Sequence, residues 1–155
     1  MRNTIIIFII SLIAVSCGKD KYTTNPQIKY VSVDPNALRS DLPTGLQELP
    51  KLIIHITDAE GDLGIEHGKD TAFVYIRTIL NRVAGARVDS FKMPDIESVT
   101  TKNLQADLRI EPPFPRSTRP SPKTDTLFYE VYVKDFAKNK SNVITTEDPV
   151  FYFVK

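Results

Sequence analysis

Residues 127–134 alternate without a break. Leu127, Tyr129, Val131 and Val133 fall on one side; Phe128, Glu130, Tyr132 and Lys134 fall on the other. A side-chain period of two is the period of a strand, so this segment can bury one face and wet the other. Shorter runs of the same kind recur along the chain: residues 27–33, 52–57 (with Leu52, Ile54 and Ile56 in phase), 72–80, 104–110, 141–146 and 150–154. Eleven prolines fall between these runs and not inside them. Proline cannot donate to a ladder, so it punctuates strands. No long stretch carries helical spacing. The expectation is an all-β fold, an antiparallel sandwich whose strands show water one face. Residues 88–110 are ambiguous, and 88–103 read as a loop.

The N-terminus has a different logic. Arg2 precedes a nearly continuous apolar run over residues 5–15, and the strongly polar Lys19-Asp20-Lys21 follows. About 20 apolar residues are needed to span a bilayer, whereas a secretory signal core has roughly 7–15. The run therefore reads as a signal. Ala14-Val15-Ser16-Cys17 resembles the lipobox of bacterial lipoprotein signal peptides, departing from it only at Ala14, where a larger aliphatic residue is usual. That resemblance implies diacylglycerol on Cys17, cleavage before it and acylation of the new amino group, so that the membrane is a partner through lipid. Two or three acyl chains hold a protein stably where one does not. Gly18, where Asp often retains enterobacterial lipoproteins at the inner membrane, tilts the expected site to the outer membrane. The division expected is a signal peptide over residues 1–16, a lipidated tether over 17–26 and one domain over 27–155, near the usual domain size.

Charge excludes one class of partner. The chain has 20 basic and 19 acidic residues, and cleavage would remove Arg2 alone, leaving equal numbers. No electrostatic footprint for nucleic acid remains. Cys17 is the only cysteine, so lipidation would leave the domain without a disulfide.

Two patterns near the C-terminus narrow the fold. Asp125, Leu127 and Tyr129 at alternate positions resemble the immunoglobulin-type sequence that places a tyrosine corner at strand F, with Val131 where a cysteine usually stands. Residues 133–142, Val-Lys-Asp-Phe-Ala-Lys-Asn-Lys-Ser-Asn, resemble the F–G hairpin of bacterial immunoglobulin-like domains. Lys138 replaces the usual glycine there, which implies a left-handed Asn139. The resemblance implies an immunoglobulin-like sandwich and is silent on ligand.

The segment Asp58-Ala59-Glu60-Gly61-Asp62-Leu63-Gly64 resembles an acidic turn found after a strand in many Gram-negative lipoproteins with immunoglobulin- or cadherin-like domains. Ca²⁺ takes six to eight oxygen ligands, and carboxylates at alternate positions on a glycine-bent loop can converge on one ion. Those carboxylates are Asp58, Glu60 and Asp62. A complete EF-hand loop is absent, since Lys69 stands where its last glutamate belongs. If residues 52–57 and 127–134 are strands B and F, the loops after them leave at one pole, and Asp135 joins the set beside Asn139. The candidate cofactor is thus Ca²⁺. The plainer reading is a solvated acidic turn with its carboxylates on local amides or neutralised by Lys138 and Lys140.

His55 and His67 are the only histidines. A metal-dependent hydrolase would need them together, but their spacing matches no hydrolase pattern, and no nucleophile elbow or phosphate loop is present. Residues 111–123 carry five prolines with Phe114, Arg116 and Arg119, a candidate contact surface or a rigid inter-strand loop. The expected function is a membrane-anchored, non-catalytic envelope module with an envelope protein or glycan as partner. A carbohydrate-binding or adhesin-type domain is the rival, with Tyr75, Phe128 and Tyr132 as its outward aromatic candidates.

Overall fold

The computed structural model describes residues 22–63, 71–93 and 102–155. Cys17, the expected signal peptide and His67 lie outside the described residues, as do Gly64 and Lys69. The described residues form ten strands: β1 (Gln27–Asp34), β2 (Ala37–Arg39), β3 (Lys51–Asp58), β4 (Phe73–Leu80), β5 (Val83–Ala84), β6 (Asp89–Lys92), β7 (Leu104–Ile110), β8 (Lys123–Lys134), β9 (Ile144–Thr145) and β10 (Val150–Val154). Among the described residues there is no α-helix, and none long and apolar enough to cross a membrane. The fold is all-β.

The strands form two sheets. One has the order β1-β3-β7 and the other β2-β10-β8-β4-β5, with β6 on β4 and β9 on β8. Every run expected to be a strand becomes one; 104–110 and 150–154 keep their ends and the others shift. β8 begins four residues early, because residues 123–126 pair with β10. The run over 141–146 shrinks to β9. Residues 89–92, expected as loop, form β6 against the start of β4.

The antiparallel expectation needs one correction. β2 runs parallel to β10, with Leu38 opposite Tyr152. β1 ends at Asp34, before Pro35, whose fixed φ and missing N–H stop the ladder. The chain then leaves one sheet and adds its next three residues to the edge of the other. The edge strand it joins runs in its own direction, so the pairing there is parallel.

The core follows from the alternation. Leu52, Ile54 and Ile56 of β3, Val74 and Ile76 of β4, and Leu127, Tyr129, Val131 and Val133 of β8 are fully buried and belong to a single apolar cluster. Each such side chain contributes about 1.5–3 kcal/mol when removed from water. The Tyr129 hydroxyl donates to the Pro113 carbonyl at 3.1 Å, sixteen residues upstream. A local tyrosine corner would reach only a few residues back. Asn142 joins the sheets differently. Its side chain accepts from the Ile28 amide (2.8 Å) and donates to the Ile28 carbonyl (2.9 Å), standing in for a strand partner.

The last residues of the expected tether are packed against the fold. Pro26 is buried, and the Thr23 carbonyl accepts from the Ala59 amide at 3.2 Å. β1 starts with Gln27 opposite Thr57. The chain therefore enters the fold at the end of β3, beside the acidic loop.

Candidate metal centre

β3 carries its alternation of buried residues to Asp58, which is itself 0% exposed. Loss of the strand ladder there leaves amides to be satisfied, and the aspartate does so. Its Oδ2 accepts from the Gly61 amide at 2.7 Å and the Asp62 amide at 3.2 Å. Gly61 adopts φ 72°, a left-handed conformation that costs a residue with a Cβ about 1–2 kcal/mol. Leu63 then turns inward and is fully buried, fastening the loop to the core.

The second half of the site comes from the end of β8. Asp135 is 1% exposed. Its Oδ1 accepts from the Asn139 amide at 2.7 Å and its Oδ2 from the Asn139 Nδ2 at 2.9 Å. Lys138 takes the left-handed turn position, φ 69°. The expectation that Asn139 does so is corrected: the lysine occupies the glycine's place and inherits its conformation, which leaves Asn139 to clamp Asp135. The two loops are joined by the Phe136 amide, which donates to the Asp62 carbonyl at 3.1 Å.

This docking brings Asp58, Asp62 and Asp135 together, each with a carboxylate oxygen within 4.8 Å of the others. The Oδ1 atoms of Asp58 and Asp62 are buried and have no hydrogen-bond partner. Burial pushes the Asp58 carboxyl up to about 7; the Asp62 charge adds to the rise, and the amide hydrogen bonds oppose it. Burial also raises Asp135, with the charges of Asp62 and Glu60 adding and the bonds from Asn139 opposing. Glu60, the fourth expected carboxylate, is exposed and stands outside the group of three. Three oxygen donors of this kind suit a hard divalent cation.

The remaining expected site residues have other employment. His55 faces Asp107 across β3 and β7, with Nδ1 2.6 Å from Oδ1. It is not part of the acidic group. Phe114 packs against the core and lines a cleft of about 660 Å³ with Pro113, Pro115, Thr78 and Leu80. The Arg116 Nε donates to the Tyr152 hydroxyl at 2.7 Å, and its guanidinium lies over that ring. Arg119 pairs with Asp125 at 2.8 Å. Both arginines therefore hold residues 111–122 onto the sheet.

Asp125 is the important residue that the sequence reading placed only in a fold motif. It is 0% exposed and accepts from the Ser117 amide and hydroxyl, the Asn81 Nδ2 and Arg119. The signal available was phase: Asp125 stands two residues before Leu127, on the inward side of the same alternation. Tyr75 and Tyr132 are stacked on each other, ring centroids 4.7 Å apart and 6° from parallel, with Lys140 Nζ 4.1 Å from the Tyr132 ring centroid.

No protein family, no curated protein and no solved structure matches this chain. What the fold defines is a class, an all-β protein of two sheets.

Proposed function

We propose that this chain is a lipid-anchored, non-catalytic interaction module of the bacterial outer membrane, built as an immunoglobulin-like sandwich. The observation that carries the fold part is strand order. With β1, β3, β4, β7, β8 and β10 as strands A, B, C, E, F and G, the orders β1-β3-β7 and β4-β8-β10 correspond to the A-B-E and C-F-G sheets of that architecture. The anchor part rests on the lipobox resemblance at Cys17. Balanced charge speaks against nucleic acid. The partner is an envelope protein or glycan.

The glycan reading needs an open aromatic platform. Tyr75 and Tyr132 turn their faces to each other, so a protein partner is preferred. A glycan array separates the two: a protein-interaction module ignores every sugar on it. The anchor is tested by mass spectrometry of the protein from its native membrane. The expected mature chain begins at Cys17 and carries the mass of two or three acyl chains. An intact Met1 with a free Cys17 thiol would refute the anchor.

A further inference from the structure

We infer that Asp58, Asp62 and Asp135 bind one calcium ion, which ties the β3–β4 loop to the β8–β9 hairpin and so clasps the two sheets at the pole where the chain enters. This inference goes beyond the anchored-module reading and stands whether or not Cys17 is lipidated.

Two independent observations carry it. The first is convergence: three carboxylates from two loops and two sheets share a space 4.8 Å across. The second is an unmet bonding need. Asp58 is fully buried, and its Oδ2 takes two amides while its Oδ1 takes none. The Asp62 Oδ1 is buried in the same condition. A buried carboxylate oxygen without a donor is costly, and two of them beside a third carboxylate more so. A cation supplies the missing partner to both orphaned oxygens and offsets the charge of the third carboxylate.

The donor atoms narrow the choice of ion. Two oxygens on one Ca²⁺ at ~2.3–2.6 Å lie up to about 5 Å apart, which accommodates the observed spread. Mg²⁺, at ~2.0–2.1 Å, draws ligands closer and keeps several waters. Zn²⁺ favours nitrogen and sulfur, which the group lacks. The site is also held in shape beforehand. Asp58 is fixed by the Gly61 and Asp62 amides, Asp135 by Asn139, and the loops by the bond from Phe136 to Asp62. An ion would bind without having to order them.

The test is a melting curve of the full chain in detergent at pH 7.5, in 10 mM CaCl₂, 10 mM MgCl₂ or EGTA. At the submillimolar to millimolar affinity of extracellular calcium modules, the midpoint in calcium should lie about 5–10 °C above that in EGTA. Magnesium should move it little. Asp58→Asn and Asp135→Asn should melt in EGTA at or above the wild-type temperature, because a repelling charge is gone, and should lose the calcium response. Equal wild-type midpoints in calcium and EGTA overturn the inference, as does an equal rise in magnesium. Should either variant fail to fold, the wild-type comparison still decides.

Discussion

Asp125 shows how much one inward polar residue can organise. It sits at the pole opposite the acidic cluster, fully buried, and fastens Ser117, Arg119 and Asn81 to the start of β8. Burial alone would raise its carboxyl. The hydrogen bonds from Ser117, Asn81 and Arg119 together outweigh burial and hold it well below the usual carboxylate range. Asp125→Ala should therefore cost about 2–4 kcal/mol at pH 7, read from urea unfolding. The sign with pH follows from the depressed value. The stabilisation is fully present above the unfolded-state pKa of about 3.9 and is lost as pH falls through the folded-state value. The gap between wild type and variant should accordingly narrow below about pH 4. A gap that stays constant down to pH 2 would contradict this role. Lys138 makes the opposite case. Its φ of 69° is a left-handed conformation in a residue with a Cβ. Lys138→Gly should raise stability by about 0.5–1 kcal/mol, the relief of strain less the extra entropy glycine loses on folding. A lower melting temperature for this variant would show that the lysine side chain outweighs its backbone cost.

At the scale of elements, the alternating runs were legible because burial on one face writes a period of two into the sequence. Leu52, Ile54 and Ile56, or Leu127 through Val133, could hardly face anything but a core. What was not legible shares a cause. β2, β5 and β6 are two to four residues long, and their residues Ala37, Arg39, Val83, Ala84, Ser90 and Lys92 are exposed. They are strands because a neighbour offers a free edge, and no local pattern records that. In sequence the segment over 111–123 reads as exposed, either a contact surface or a rigid inter-strand loop. Its arginines grip Tyr152 and Asp125, a contact made across the sheet and invisible in local composition. Arg116→Ala and Arg119→Ala should therefore lower the melting temperature by a few degrees each. Unchanged melting of both would return these arginines to the surface reading. The meeting of Asp58 and Asp62 with Asp135 was legible from direction alone, since two strands running the same way deliver their loops to one pole. The exposure of Glu60 was not, because it depends on which side of a glycine turn faces inward.

For the molecule as a whole, the two poles have different tasks. One holds the proline-rich strap and Asp125. The other holds the acidic cluster and the entry of the chain, where Thr23 is hydrogen-bonded to Ala59. Thr23 stands six positions after Cys17, a reach of at most about 22 Å. A lipid on Cys17 would thus keep the acidic pole within that distance of the bilayer and turn the strap outward. Calcium at the acidic pole would stiffen the base of the module, where β1 leaves the tether, and leave the far end unchanged. The most direct measurement is a calorimetric calcium titration of the full chain in detergent at pH 7.5. One ion per chain is expected, with a dissociation constant of about 10⁻⁴–10⁻³ M, and Asp135→Asn should remove the binding heat. Heat no greater than dilution up to 10 mM calcium would contradict the clasp and leave the three aspartates as an acidic cluster satisfied by protons and local amides.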